Sequence, residues 1–485
     1  MTLFVQIIWL LIIINTIGAL ITVFRRPRSI PSIFAWMMVL IFLPGIGFLI
    51  YLFLGRGIDK KTVERFKVER AHTPKEIAEA IESSNEKFSD LNISPQEKSL
   101  VRYFSKMETT APSRGNKVSL FFDGEAKFSG LFEDMRQAKD NINVEYYAFF
   151  DEKIGRQFLD ILIEKAKAGV EVHLLYDPWG GQTKASLFKD LEAAGGEVLP
   201  FITGDNPIRN ARLNYHLHRK IVIIDGRIGW TGGFNVGDQY IYGSEKFGFW
   251  RDTHGRIEGT AAFILQEIFM HDWNVSIKKD SQHLDYHERF FNLPDFDNPE
   301  ELGDVGVQIV GDGPANEAEI LRTGFIKMVM DAEDYIWIQS PYLVPDDSMI
   351  TALLAAAASG VDVRIMIPDM PDHPFIFRAT QYYANYLHKY GVKIYNYNNG
   401  FIHAKTMVMD GKIGVFGTTN QDIRSYSLNF EVSAFCFDEG IAKQLAEQFE
   451  RDMIVSTELT TQMIESQSRW LTFKQHFSRL LSPVL

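Results

Sequence analysis

Two stretches of this 485-residue chain set a histidine, a lysine and an aspartate at identical intervals: His218, Lys220 and Asp225, then His403, Lys405 and Asp410. Both read HxKxxxxD. Both continue into a glycine-bearing turn, Gly232-Gly233-Phe234-Asn235 and Gly417-Thr418-Thr419-Asn420, with the asparagine seventeen residues after the histidine. At residue frequencies of about 1 in 20, five fixed positions match by chance about once in three million starts. Histidine beside lysine suits a phosphoester. A neutral imidazole can attack phosphorus while the ammonium holds the charge developing on the phosphoryl oxygens, and a second imidazole can move the proton of the departing or entering alcohol.

On a strand of period two, His218 and Lys220 face the same way, as do His403 and Lys405. Asp225 and Asp410 complete the catalytic motif. Each lies an odd number of positions from its histidine and precedes Gly226 or Gly411, a DG turn signal, so the role expected of them within it is structural. The returning strand brings Asn235, or Thr418 and Asn420, to the phosphate oxygens. Each imidazole also needs a partner on its other nitrogen to fix tautomer and orientation. Asp252 in Trp250-Arg251-Asp252 and Glu431 in Asn429-Phe430-Glu431 are the candidates, one downstream of each motif. His271, His283, His287 and His373 lack the spacing of metal ligands and read as surface or core-satisfied residues.

The scaffold for these residues is written twice. Residues 142–149 are strand-like and lead through a helical stretch to Gly169 and the apolar run 170–177, while 336–339 lead through 353–359 to Gly360 and the run 361–368. Strand, helix, glycine, buried strand is a βαβ unit with parallel strands. The predicted fold class is α/β. Two similar domains, 116–300 and 301–455, pack face to face so that equivalent loops meet in one shared active site. A charged helical connector, 56–115, precedes them and an amphipathic segment, 456–485, follows. In that segment Trp470, Phe473, Phe477, Leu480 and Leu481 share one helical face; docking on its own domain is the expectation, and interfacial membrane contact the functional alternative.

Residues 1–55 are of different composition. The runs 3–24 and 32–54 carry no charge, and each has about the ~20 residues that a membrane-crossing helix needs. The first exceeds the ~7 to 15 apolar residues of a signal peptide, so a retained two-helix transmembrane hairpin is expected, joined by Arg25-Arg26-Pro27-Arg28 and kinked at Pro44-Gly45. Three basic residues in the turn stand against Arg56, Lys60, Lys61, Arg65, Lys67 and Arg70 beyond it, which favours catalytic domains on the cytoplasmic side of the membrane.

With their Gly-Gly-x-Asn and Gly-Thr-x-Asn extensions, the two motifs resemble those of the phospholipase D superfamily. The hairpin, His216-Leu217-His218-Arg219-Lys220, Ser340-Pro341-Tyr342, Asn420-Gln421-Asp422-Ile423-Arg424-Ser425 and Leu480-Leu481-Ser482-Pro483-Val484-Leu485 are similar to the bacterial cardiolipin synthases within it. The resemblance implies one site between two α/β domains, catalysis without metal or cofactor, Asp252 and Glu431 as histidine orienters, and a phosphohistidine placed on His218 by analogy. The implied partners are phosphatidylglycerol and membrane lipid, two phosphatidylglycerols being joined into cardiolipin with release of glycerol. The alternative is a phosphodiesterase of the same superfamily with water or another alcohol as acceptor.

A net charge of -12 speaks against general nucleic-acid affinity, which feeds on clustered Lys and Arg. The 37 phenylalanines read as core packing. Cys436, the only cysteine, excludes an internal disulfide and reads as a small core residue. The oligomeric state is left open.

Overall fold

The computed structural model describes residues 3–24, 30–43, 45–51, 60–71, 93–107, 112–202, 215–277, 283–292 and 303–480, with Gly55, Gly57, Ile58, Glu79 and Ser482. The basic turn at 25–28, Pro44, Leu481 and residues 483–485 lie outside the described residues.

The first half supplies β1 (Ser113–Phe121), β2 (Asn141–Tyr146), β3 (Glu171–Tyr176), β4 (Glu197–Pro200), β5 (Lys220–Ile224), β6 (Ile228–Gly232), β7 (Trp250–Arg251) and β8 (His254–Glu258). The second supplies β9 (Val305–Asp312), β10 (Tyr335–Gln339), β11 (Leu343–Val344), β12 (Asp362–Pro368), β13 (Lys393–Tyr397), β14 (Phe401–Ile402), β15 (Thr406–Met409), β16 (Ile413–Gly417), β17 (Gln421–Asp422), β18 (Glu431–Phe437) and β19 (Ser456–Glu458). Outward from the centre of one sheet the order is β1-β8-β6-β5-β2-β3-β4 on one side and β9-β18-β16-β15-β10-β12-β13-β19 on the other. The repeat is therefore a repeat of topology. Its βαβ units are present, β2 pairing parallel with β3 and β10 with β12. The helices between them, Lys153–Lys167 and Asp347–Ala358, stop at Gly169 and Gly360 with φ of +90° and +98°, a conformation that costs glycine least.

The halves join edge to edge, which corrects the expectation of face-to-face packing. β1 and β9 are equivalent edge strands and pair antiparallel at Ser113↔Val307 and Asn116↔Val305. Joining like edges about an internal two-fold satisfies two rows of backbone groups at once. The helix Ala261–Ser276 packs across this junction, and Ile221, Leu265, Trp273, Ile309 and Val432 belong to a core shared by both halves. β1 begins at Ser113, before residue 116, and β19 pairs with β13 beyond residue 455.

The chain's first helix runs Leu3–Phe24. The second apolar run is interrupted at Gly45, φ +86°, into Ile30–Phe42 and Ile46–Ile50. Several side chains of the first helix lie outside the described set, and among the described residues no helix is long and apolar enough to cross a membrane. The connector contains helices Lys60–Arg70 and Pro95–Lys106, the latter opened by a capping box between Ser94 and Glu97.

The helix Arg469–Leu480 does dock on its own domain, but with its polar side. Gln475 and Ser478 are buried, while Trp470, Phe473, Phe477 and Leu480 are 65%, 56%, 47% and 74% exposed. The receiving helix, Pro374–His388, explains the inversion by offering polar partners. Asn385 Nδ2 donates to Gln475 Oε1 at 3.3 Å, and Tyr383 OH to Ser482 Oγ at 3.4 Å.

Asp225 and Asp410 sit in the hairpin turns at the far end of the motif strands, with φ of +51° and +52°. Asp225 accepts from the amides of Lys139, Asp140 and Asn141 at 2.8–3.1 Å, and Asp410 from those of Glu333, Asp334 and Tyr335 at 2.8–2.9 Å. Both aspartates therefore fasten the entry of the central strands β2 and β10. Losing such bonds to a charged acceptor and placing alanine in a left-handed turn costs about 2–4 kcal/mol. Asp225→Ala and Asp410→Ala should lower the unfolding midpoint while the folded fraction keeps its kcat within about threefold. A hundredfold loss of kcat in folded protein would return these residues to the chemistry.

Candidate active site

Neither histidine lies within a regular strand. Lys220 opens β5, and residues 403–405 lie between β14 and β15. Each motif enters the site across a short bridge to the opposite half. His218 N donates to Phe430 O at 2.9 Å and Phe430 N to His216 O at 2.8 Å; β14 pairs parallel with β7, and His403 N donates to Arg251 O at 2.7 Å. These bridges lay each motif beside the other half's acid. His218 Nδ1 is 2.9 Å from Glu431 and His403 Nδ1 is 2.6 Å from Asp252. The orienting acids are thus exchanged, each serving the motif of the other half. Sequence order had suggested only that an acid follows each histidine.

A proton on Nδ1 directed at the carboxylate leaves Nε2 with its lone pair. Burial is the main cause that holds His218 down at about 4 and His403 at about 3, so both rings are neutral at pH 7 before substrate arrives. For Glu431 burial pushes upward, but the hydrogen bonds from His218 and Thr418 and the charge of Lys220 outweigh it and hold the carboxyl below its usual range. Lys220 Nζ donates to His218 O at 2.6 Å, and Lys405 Nζ makes the same bond to His403 O. Burial pulls the two ammonium groups down to about 7 and about 8. Each lysine is thus fixed beside its histidine by the histidine's own carbonyl.

A cavity of ≈ 170 Å³ is lined by His218, His403, Asn235, Asn420, Tyr147 and Arg424 among others. Asn235 Oδ1 and Asn420 Oδ1 are buried without a partner among the described residues, which leaves each amide an acceptor for a ligand hydroxyl, while a phosphoryl oxygen would be met by the Nδ2 hydrogens. Thr418, expected on the phosphate, is fully buried, and its hydroxyl donates to Glu431 Oε2 at 2.5 Å. The matching residue of the first half, Gly233, explains the departure between the motifs. A Cβ there would stand 2.0 Å from Asp252 Oδ1, because the shorter acid lies directly on the backbone.

Sequence reasoning missed several supports. Arg219, inside the motif, donates to Glu431 O at 3.1 Å and pairs with Asp272; Arg251, beside Asp252, pairs with Asp452 at 2.7 Å. Their adjacency to site residues was the available signal. His373 also lines the cavity, with Tyr342, although its spacing had suggested an ordinary surface or core residue.

A family model described as cardiolipin synthase, PLD-like domain, matches residues 131–273 and 325–453, and one described as phospholipase D-nuclease N-terminal matches residues 7–56. A cardiolipin synthase of Listeria innocua is 42% identical over 481 residues, covering 98% of each chain. One of Staphylococcus aureus is also 42% identical, over 98% of this chain and 95% of its own. The crystal structure of phosphatidylserine synthase from Haemophilus influenzae, 13% identical, superposes with a TM-score of 0.60 over 80% of this chain and 99% of that one, a likeness of fold. Two paired half-sites in a doubled α/β fold, together with near-full-length identity at this level, place the chain in the cardiolipin synthase family with phospholipase D-like domains.

Proposed function

We propose that this phosphatidyltransferase joins two phosphatidylglycerol molecules into cardiolipin and releases glycerol, through a phosphohistidine on His218. The observation that carries the reading is the pair of crossed dyads, His218 with Glu431 and His403 with Asp252, whose two histidines line one cavity. His218 Nε2 attacks the donor phosphorus, the bond to the glycerol oxygen breaks, and glycerol leaves with a proton from His403. The acceptor hydroxyl then returns a proton to His403, its oxygen bonds to phosphorus, and the P–N bond breaks. Binding of the phosphodiester anion raises the affinity of His403 for the proton this cycle needs. Lys220, Lys405, Asn235 and Asn420 hold the phosphoryl oxygens. One phosphodiester replaces another, so no energy-rich cosubstrate is required.

The purified full chain given phosphatidylglycerol alone should yield cardiolipin and glycerol. Phosphatidic acid alone, with no cardiolipin at any acceptor concentration, would sink the transferase reading in favour of hydrolysis.

We further propose that residues 3–54 anchor the chain in the plasma membrane with its catalytic domains on the cytoplasmic side. Exposed Ile7, Trp9, Leu10, Ile13, Ile14 and Ile17 on the first helix support an apolar surrounding, and the basic residues after the second run support the orientation. The outward row Trp470, Phe473, Phe477 and Leu480 supports a second bilayer contact, with Lys474 and Arg479 beside it for anionic headgroups. Changing Trp470, Phe473 and Phe477 together to serine should slow turnover of vesicle phosphatidylglycerol about tenfold and leave turnover of a monomeric short-chain analogue within about twofold. Equal loss on both substrates would remove the membrane role of this helix.

A further inference from the structure

Cardiolipin synthesis brings two phosphodiesters to one cavity, and the groups assigned so far hold only the donor's. Resting on the reading of phosphatidylglycerol as acceptor, we propose that Arg424, with His216 and Asn429, forms a second phosphate subsite that holds the acceptor's phosphodiester and presents its terminal hydroxyl to the reaction centre.

Arg424 is the only lysine or arginine among the described residues lining the cavity, and Asp422 is the only carboxylate there. Lys220 and Lys405 lie deeper, fixed on the histidine carbonyls. Burying a second phosphodiester against a first is costly without a cation of its own, and a guanidinium meets two phosphate oxygens at once.

The local fold holds these groups in place. Arg424 follows the cap of the short helix Ile423–Ser427, where Asp422 accepts from Ser425 N at 2.7 Å. Its carbonyl receives the amides of Leu428 at 2.8 Å and Asn429 at 3.1 Å, tying it to the strand that carries Glu431. Asn429 Nδ2 donates one of its two hydrogens to Glu431 Oε1 at 3.2 Å, and the other is the one a phosphate oxygen would accept. His216 comes from the other half, its Nδ1 3.4 Å from Asp177. Tyr147 stands edge-on to both His216 and His218, at ring separations of 5.7 and 4.8 Å, so one aromatic ring divides the proposed subsite from the reacting one. That division suits an acceptor whose phosphate and attacking hydroxyl are separated by a glycerol.

In the transfer step the acceptor's O–P bond forms, the P–N bond to His218 breaks, and the hydroxyl proton passes to His403. The subsite adds selection, because water and simple alcohols carry no phosphate to hold.

The test is a competition within one sample. Full-length enzyme in mixed micelles receives phosphatidylglycerol and ethanol, and the ratio of cardiolipin to phosphatidylethanol is read by mass. Arg424→Gln should lower this ratio at least tenfold, and Arg424→Lys should recover part of it. A ratio within twofold of wild type, or a parallel fall of both products, overturns the subsite. If Arg424→Gln does not fold, wild type still decides, since glycerol phosphate should outcompete glycerol as a soluble acceptor and equal use overturns the proposal. Wild-type protein that makes no cardiolipin would instead defeat the functional reading on which the subsite rests.

Discussion

His218→Ala and His403→Ala should each reduce cardiolipin formation by at least about 10⁴-fold, measured as kcat on phosphatidylglycerol with protein of unchanged unfolding midpoint. In the proposed mechanism each ring performs a step that the other groups cannot take over: one supplies the lone pair that displaces glycerol, the other moves the proton in both halves of the reaction. Groups acting as one unit give grossly non-additive losses, so the double variant should be little worse than either single one. Glu431→Gln and Asp252→Asn should fall in between, at about 10²- to 10³-fold, because a neutral amide still reaches Nδ1 but no longer stabilises a protonated ring. The exchange of acids between halves fixes which pairs couple. Glu431→Gln should disturb the step taken by His218, although Glu431 follows His403 in the chain. Retained turnover in either histidine variant refutes the paired mechanism.

What could be read from the chain was what depends on spacing. The histidine–lysine pairs, the repeated βαβ units and the glycines that end their helices are local patterns, and each survives folding with little dependence on the rest. The exchange of Asp252 and Glu431 is a property of the two-fold, since only the pairing of β14 with β7 and the bridge from Leu217 to Phe430 decide which acid reaches which ring. Thr418 was expected on the phosphate because its motif position matches a residue beside the turn. Its hydroxyl was taken instead by a carboxylate long enough to reach it. For the helix Arg469–Leu480 periodicity gave the two faces, but which face turns inward depended on the polar residues of the helix Pro374–His388, distant in sequence. Edge-to-edge joining through β1 and β9 was equally invisible, because an edge strand and a central strand of a covered sheet read alike as apolar runs.

The lysines lead to the second large effect, and to one in which stability and activity move in opposite directions. Lys220→Met or Lys405→Met should lower kcat/KM about 10³-fold or more, since each removes a fixed charge from beside the phosphoryl oxygens in a water-poor site. Neither loss should come from unfolding. A buried ammonium whose folded value lies at about 7, against 10.5 for an exposed lysine, binds fewer protons in the folded chain than in the unfolded one between those values, so stability rises with pH across that window and the charge is a burden below it. Methionine of similar length removes the burden, and the variants should unfold at the same temperature as wild type or higher. The same values set the pH profile. In free enzyme the charges on Lys220 and Lys405 are lost as pH rises through about 7 and about 8, so kcat/KM should fall there. A bound phosphodiester favours the charged form and moves the loss upward, so kcat should fall at a pH at least about one unit higher. Coincident alkaline limbs in the two profiles, or an unfolding midpoint that drops with the methionine substitutions, would show that these lysines hold the fold and not the phosphate.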